Sequence, residues 1–189
     1  MITIVPYKPE WRDEFMMLGG TLRQSFDDLA LRIDHIGSTA VPGLAAKDII
    51  DIQVTTQALG SMVESTLNHC GYQRLNHITQ DHLPPGTDDK VDGWLKWFFQ
   101  SATTQRPVNL HVRMPGRANQ QYPILFRDYL RANPATAQAY AQVKLALAKY
   151  HPEDEDAYYD IKNPVCDIII GGAEVWAASN GWVMGPTDC

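Results

Sequence analysis

The sequence predicts an α+β (mixed α/β) fold in which helices pack on one central sheet. Apolar residues recur every three or four positions in residues 11–29, as they do along one face of a helix. Short apolar runs bounded by Gly, Pro or Asp follow and indicate strands. The resulting order is a helix, two strands, a helix, more strands and then helices, which is typical of this fold class.

The first predicted helix begins near Pro9, which suits the first turn of a helix, and Gly19 and Gly20 weaken its middle. Its apolar face consists of Trp11, Phe15, Leu18, Leu22, Phe26 and Leu29. The elements around it are a β-like run at residues 2–5, strands at residues 33–36 and 49–54, a Gly37-Ser38 turn, and an irregular loop at residues 41–44.

The middle of the chain predicts a helix at residues 59–70 and an extended segment at residues 72–78. Residues 81–93 are rich in Pro, Gly and Asp, which predicts a flexible loop. Two further strands, at residues 94–100 and 108–113, form a predicted hairpin.

The carboxyl-terminal part is predicted to be helical from about residue 122, within one domain spanning residues 1–189. Asn133 can cap a helix whose first position is Pro134. The predicted elements here are helices at residues 122–130 and 134–150, an acidic break at residues 151–156, a helix from residue 157 that Gly171 and Gly172 interrupt, and an irregular tail ending in a mobile Cys189.

Composition restricts the classes of function. The formal net charge is −6 and the isoelectric point about 5.4, which argues against a protein that grips duplex nucleic acid. Three scattered cysteines form no CxxC pair, as expected in a reducing compartment. Neither a signal peptide nor an apolar run of membrane-spanning length is visible, so a cytoplasmic protein without a membrane segment is expected.

The Gly37-Ser38 turn is the first candidate site. A glycine after a strand lets a ligand approach the backbone, and the hydroxyls of Ser38 and Thr39 can hold phosphate oxygens. Asp51 lies on the following strand, where a carboxylate beside a phosphate-holding turn can place Mg²⁺ against a triphosphate. The alternative is that Asp51 ends a strand or pairs with an arginine.

A second set of polar side chains lies on the strand at residues 108–113. His111 and Arg113 share one of its faces, and they converge with Asp51 and Gln53 if the two strands are neighbours. A His-Asp pair can bind Mn²⁺ or Zn²⁺, or it can transfer a proton. It can also be structural, with the histidine hydrogen-bonded to the carboxylate.

Basic residues supply candidate phosphate contacts. These are Lys47 in the loop before Asp51, Arg127 and Lys144 in the predicted helices, and Lys162 beyond them. The alternative for each is a solvated helix face or loop.

The run HIGSTAVPGLAAKDIIDIQV at residues 35–54 closely resembles the signature of the GrpB family. Later segments resemble the family as well, and the likeness extends over nearly the whole chain. These segments are WFF at 97–99, NLHVR at 109–113, LFRDYLRANP at 125–134, AYAQVKLALA at 139–148 and YDIKNPVCDIII at 159–170.

The resemblance implies a polymerase-β-like fold, with a nucleotidyltransferase-like central mixed sheet, flanking helices and carboxyl-terminal helices. Gly37 and Ser38 match the superfamily's turn, and Asp51 matches its first carboxylate. Gln53 and His111 stand where the second and third carboxylates are expected. With Asp51 they are the candidate metal ligands, Gln53 through its amide oxygen, but they add no negative charge, so the charge for a site holding two Mg²⁺ ions is reduced.

The expected function is therefore binding of an NTP with Mg²⁺ or Mn²⁺, and transfer of its nucleotidyl group to an unknown acceptor. The alternative is a catalytically degenerate accessory module that binds a nucleotide, a coenzyme or a protein partner. Members of the family occur alone or joined to dephospho-CoA kinase, which implies a link to coenzyme A metabolism. A hydrolase or other transferase that uses a His111-Asp51 proton relay is a third hypothesis.

Overall fold

The computed structural model describes residues 1–87 and 93–189. Among these residues, two helices and five strands form the part of the chain up to Arg113, and helices follow from Ala118 to Asn180. In chain order the elements are α1 (Glu10–Phe26), β1 (Ala30–Ile36), β2 (Ile50–Thr56), α2 (Ser61–His69), β3 (Tyr72–Arg74), β4 (Trp97–Ser101), β5 (Val108–Arg113), α3 (Ala118–Ala132), α4 (Pro134–Tyr150) and α5 (Glu155–Asn180), with 3₁₀ helices at Asp27–Leu29 and Ser38–Ala40.

The described strands form one mixed sheet in the order β1-β2-β5-β4-β3. β2 and β5 are parallel, and the other neighbouring pairs are antiparallel. The predicted α+β fold and the hairpin of β4 with β5 are thereby confirmed. Because β2 and β5 are direct neighbours, Gln53 lies opposite His111 and Asp51 lies opposite Asn109.

One face of the sheet carries the main core. Ile50, Ile52 and Val54 alternate with Asp51 and Gln53 along β2, as the strand period requires. These three apolar side chains are fully buried against α1 and α2, where they meet Trp11, Phe15, Leu22, Val63 and Leu67. The opposite face of the sheet is therefore left to the polar residues of β2 and β5.

The carboxyl-terminal helices pack against each other and against the loop after β1. Their shared core contains Val41, Leu44, Leu130, Tyr140 and Ile169, all buried. Among the described residues, no helix combines the length and apolarity needed to cross a bilayer.

In α1 and α5, tertiary packing outweighs the tendency of glycines to interrupt a helix. α1 and α5 are uninterrupted, although Gly19 and Gly20 were expected to weaken the first, and Gly171 and Gly172 to interrupt the second. Gly19 lies against Cys189 and Phe15, and Gly172 lies against Tyr129, so these glycines make room for neighbouring side chains. The extra packing of each helix offsets the roughly 1 kcal/mol that a helical glycine costs.

Other elements differ in extent from the predictions. The β-like run at residues 2–5 contributes only an isolated bridge between Val5 and Ala46, and the extended segment after residue 72 ends at Arg74. Asn133 precedes α4 as expected, but its side chain donates to the carbonyl of Tyr129 instead of capping α4. Part of the predicted loop at residues 81–93 lies outside the described residues.

The irregular tail runs along the outer edge of β1. The Cys189 amide donates to the Ile33 carbonyl at 3.1 Å, and the Ile33 amide donates to Thr187 Oγ1 at 2.9 Å. The His35 amide donates to Asp188 Oδ2 at 2.9 Å. Cys189, expected to be mobile, is held because the tail satisfies edge groups that a sheet otherwise leaves unpaired.

Candidate functional site

A cleft of about 740 Å³ lies between the polar face of the sheet and helices α3, α4 and α5. Its volume falls in the range of small-molecule sites, roughly 300–1,000 Å³. The turn after β1, strands β2, β4 and β5, and all three carboxyl-terminal helices contribute lining residues. Nine of the candidate residues line it: Gly37, Ser38, Thr39, Lys47, Asp51, His111, Arg113, Lys144 and Lys162.

Gly37 and Asp51 lie in close contact, and both line the cleft. Gly37 has a φ of 73°, and a Cβ built there would overlap the Asp51 carboxylate. The Asp51 side chain is 27% exposed, and its Oδ1 accepts a hydrogen bond from Asn109 Nδ2 at 3.0 Å. The predicted convergence of the turn and the carboxylate therefore has a structural basis, since glycine alone leaves room for it.

Gln53 is fully buried and does not line the cleft. Its Nε2 donates to the Gln120 carbonyl at 2.9 Å, and its Oε1 accepts from Arg113 Nη1 at 2.7 Å. The amide oxygen considered as a metal ligand is thus already engaged by a cation of the chain. Side chains alternate between the two faces of β2, which puts Gln53 on the same face as Asp51. Helix α3 covers the part of this face where Gln53 lies.

Arg113 is committed to Asp81, a residue that the sequence did not single out. Its Nε and Nη2 donate to the two Asp81 oxygens at 2.9 and 2.8 Å, and Lys96 Nζ donates to Oδ1 at 2.7 Å. Burial by itself would raise the pKa of Asp81, but Arg113 and Lys96 outweigh it and hold this pKa far below its usual range. Arg113 therefore lines the cleft as part of an internal ion network.

His111 lies between this network and Asp51. Burial and the positive charges of Arg113 and Lys96 lower its pKa to about 4, so the ring is neutral at pH 7. Arg113 Nη2 lies 3.3 Å from His111 Nδ1, and a guanidinium can only donate. The ring proton is therefore assigned to Nε2, which faces Asp51 Oδ1 at 4.0 Å.

This donor set does not fit the expected divalent-metal site. The Gln53 oxygen is engaged by Arg113, and the cleft-facing nitrogen of His111 carries a proton. Of the three predicted ligands, Asp51 alone therefore offers a lone pair to a metal ion. Two bound ions rely on several carboxylates to hold them. Across residues 1–87 and 93–189, no group of three or more His, Cys, Asp or Glu side chains has the arrangement to hold a metal ion.

Lys144 of α4 reaches the Gly37-Ser38 turn. It is almost fully buried, and its Nζ donates to Ser38 Oγ at 3.0 Å and to the Ala45 carbonyl at 2.6 Å. The Tyr140 ring centroid lies 4.6 Å from Nζ. Burial, aided by the nearby charge of Lys162, lowers the pKa of Lys144 to about 7.

Two further lysines stand at the same side of the cleft. Lys47 Nζ lies 4.5 Å and 5.0 Å from the ring centroids of Tyr158 and Tyr159, and burial lowers its pKa. Lys162 Nζ lies 5.7 Å from the Tyr159 ring. Within the described part of the chain, Lys47, Lys144 and Lys162 form no ion pair with a carboxylate.

Arg127, by contrast, lies away from the cleft lining. Its Nη1 donates to Asp188 Oδ2 at 2.6 Å and to the His35 carbonyl at 2.9 Å, and its Nε donates to Asp128. This predicted phosphate contact joins α3 to β1 and the tail. Thr39 is buried, and its hydroxyl is hydrogen-bonded to His35 Nε2 at 3.0 Å.

The sequence reasoning did not find Asp81, Lys96 or the tyrosines of the cleft. Tyr158 and Tyr159 precede Lys162 by about one helical turn, and this aromatic-basic pattern is a signal that could have pointed to them. Asp81 has no such signal, because its partners, Lys96 just before β4 and Arg113 on β5, are distant in sequence.

Comparison with known proteins gives one consistent family. The family model described as GrpB protein matches residues 1–171. The chain is 37% identical over 195 residues to the dephospho-CoA kinase of Mycolicibacterium paratuberculosis, covering 96% of this chain and 48% of that protein. It is 28% identical over 188 residues to UPF0157 protein YqkA of Bacillus subtilis, covering 100% of this chain and 52% of that protein.

A solved structure is also similar, the crystal structure of conserved protein GrpB from Enterococcus faecalis. It has a TM-score of 0.75 and 27% sequence identity, covering 92% of this chain and 99% of that one. The chain spans about half the length of the two curated relatives named above.

Proposed function

Since this chain belongs to the GrpB family, as its motifs predicted, we propose that the cleft binds a phosphorylated small molecule, either a nucleotide or a coenzyme of the CoA type. One observation carries the proposal. Lys47, Lys144 and Lys162 line the cleft, Lys144 contacts Ser38 of the turn, and none of the three has a carboxylate ion-pair partner in the described residues.

Burying a charged group away from water costs free energy. A buried ammonium group that meets only uncharged oxygens is destabilised relative to water, and an anionic ligand compensates this. Lys144 is in this situation, since its two hydrogen-bond partners are a hydroxyl and a carbonyl. The cations of Asp81's network are different, because their charge is already neutralised in part by that carboxylate.

Aromatic faces extend the site beyond the lysines. Tyr140, Tyr158 and Tyr159 line the cleft next to the lysine amines. Such rings provide flat apolar surface with a polar hydroxyl, which suits the base of a nucleotide or the apolar part of a coenzyme. The relatives named dephospho-CoA kinase favour a ligand related to coenzyme A, although that name belongs to proteins of about twice this chain's matched length.

The test is a thermal-shift titration of the purified protein with ATP, the other NTPs, coenzyme A and dephospho-coenzyme A. Each ligand is added with and without Mg²⁺ or Mn²⁺. Binding to the folded state stabilises it by about 2.7 kcal/mol when the free ligand is at 100 times its Kd, so the melting temperature should rise.

Two matched variants identify the site. Lys47→Met combined with Lys162→Met should lose the shift, whereas Lys149→Met should keep it, because Lys149 is exposed at the end of the same α4 that carries Lys144. Absence of a shift with every ligand would contradict the proposal and leave a protein-binding accessory module as the better account of this cleft.

Nucleotidyl transfer is the second candidate, and the contact of Asp51 with the Gly37-Ser38 turn favours it. In this reaction an acceptor hydroxyl attacks the α-phosphorus, pyrophosphate leaves, and the hydroxyl proton passes to Asp51 as general base. His111 faces Asp51 with an N–H and is placed to stabilise its carboxylate rather than to remove a proton.

Pyrophosphate release in the presence of NTPs and candidate acceptors tests this second function. Asp51→Asn should abolish release while the thermal shift with the nucleotide persists. If no acceptor supports release, or if the Asp51→Asn protein is as active as the wild type, transfer by Asp51 is excluded and ligand binding alone stands.

A further inference from the structure

Lys144 differs from the other cations of the cleft in the groups that surround it. Its own helix contributes Tyr140, and the turn and loop after β1 contribute Ser38 Oγ and the Ala45 carbonyl. The charged and titratable groups that act on it from other elements are Lys162 and Cys166 of α5 and Asp51 of β2. None of the contacts to Nζ in the described residues is an ion pair.

We infer that Lys144 is the cation that receives the terminal phosphate of the ligand, and that it takes up a proton from solvent as this phosphate binds. The inference rests on the proposed function and specifies which phosphate is bound and how binding depends on pH. No covalent bond changes in this step: one proton moves from solvent to Nζ.

The surroundings of Lys144 accommodate both protonation states. An uncharged amine has two N–H groups and one lone pair, so it can donate to the Ala45 carbonyl while it accepts a hydrogen bond from the Ser38 hydroxyl. Burial and the charge of Lys162 favour this neutral form, and burial is the larger of the two effects on the pKa. Asp51 and Cys166 act in the opposite direction but do not outweigh burial.

A phosphate bound at the Ser38 hydroxyl would favour the charged form of Lys144 over the neutral form. Its oxygens would stand next to Nζ, and an opposite charge within about 4–6 Å favours the charged form of a lysine. A terminal phosphate fits better than an internal diester, because it carries up to two negative charges where a diester carries one. Two more lysines, Lys47 and Lys162, line the same side of the cleft and can hold the additional charge.

Isothermal titration calorimetry with ATP measures the proton directly. At pH 8 the terminal phosphate of ATP is ionised, since the second pKa of a phosphate monoester is about 6. Titrations in Tris and in HEPES, which have different ionisation enthalpies, give the number of protons taken up per ATP bound. With a Lys144 pKa of about 7, we expect uptake of about 0.9 proton per ATP bound at pH 8.

The variant Lys144→Arg distinguishes proton uptake at Lys144 from proton uptake at the other lysines, because an arginine is already charged at every pH used. This variant should bind ATP with almost no proton uptake, and Lys149→Arg should match the wild type. In the wild type, the Kd for ATP should also rise about tenfold per pH unit above pH 7, a readout that does not depend on the variant's folding.

The outcomes distinguish the two proposals. Binding heat that is the same in both buffers, or proton uptake that persists in Lys144→Arg, would overturn the inference and leave phosphate binding intact. Absence of binding heat with ATP, and with coenzyme A in a parallel titration, would overturn the proposed function and this inference with it.

Discussion

The carboxylate of Asp51 lies in the space that a side chain at residue 37 would occupy, and Gly37 is the residue that leaves this space open. Two constraints act on the same position. The φ of 73° disfavours any residue with a Cβ, and the Cβ itself would overlap Asp51. The glycine of the turn and the acid of the strand therefore form one unit.

Gly37→Ala should destabilise the protein by about 1–3 kcal/mol, because it adds both a strained φ and a clash. Gly43→Ala is the matched control, since Gly43 has a φ of 80° but no atom within 4 Å of an added Cβ. Urea denaturation should show the larger loss for Gly37→Ala. Equal losses for the two variants would mean that the Asp51 contact contributes nothing.

Removal of Asp81 should cost about 3–5 kcal/mol in Asp81→Asn, because Arg113 and Lys96 would remain buried without their carboxylate. The pKa of Asp81 is far below its usual range in the folded protein, so the stabilisation is present above about pH 4 and is lost as pH falls further. The stability difference between wild type and variant, from denaturation at pH 3 to 7, should therefore shrink at the acidic end. A difference independent of pH would contradict an ionised Asp81.

Acid should also destabilise the protein through its buried histidines. Burial lowers the pKa of His35 to about 4, against an ordinary value of 6.5, while the ring stacks on Phe15. The unfolded chain binds a proton more readily between these two pH values, so stability falls with decreasing pH by up to about 1.4 kcal/mol per pH unit for this one group.

His35→Gln should therefore flatten the stability profile between pH 6.5 and 4.5, measured by urea denaturation at each pH. His77→Gln, at an exposed position, should leave the wild-type profile unchanged. If His35→Gln follows the wild-type profile, the histidine is not held neutral by burial.

The tail contact predicts a local effect on β1. Asp188→Ala removes the acceptor for the His35 amide and for Arg127 Nη1, which should cost about 1.5–3 kcal/mol since a charged partner is left unsatisfied. Hydrogen exchange of the Ile33 and His35 amides should accelerate, because both are protected by the tail. Asp156→Ala, an exposed position on α5, should leave these amides protected.

Local pattern was sufficient for most of the fold. The period-two alternation of β2 assigned Ile50, Ile52 and Val54 to one face and Asp51 to the other, since successive strand side chains point to opposite faces. The resemblance of the motifs identified the GrpB family, which the match over residues 1–171 confirms. The interruption expected at Gly171 and Gly172 was wrong, because the helix propensity of a glycine is a small term compared with the packing of the whole α5 helix.

The sequence by itself determined most of the helices and strands, because these follow from local periodicity, and the resemblance of its motifs to a family indicated that Gly37, Ser38 and Asp51 belong to one site. Only the tertiary structure decided what the charged residues do. Arg127 and Lys144 are both buried basic residues of helices, yet one meets Asp188 and the other meets uncharged oxygens at the cleft. The physical reason is that a buried charge requires partners. Besides its neighbour Asp128, Arg127 meets Asp188, which is 61 residues away, and Lys144 meets Ser38, which is 106 residues away; local periodicity carries no information about partners so distant in sequence.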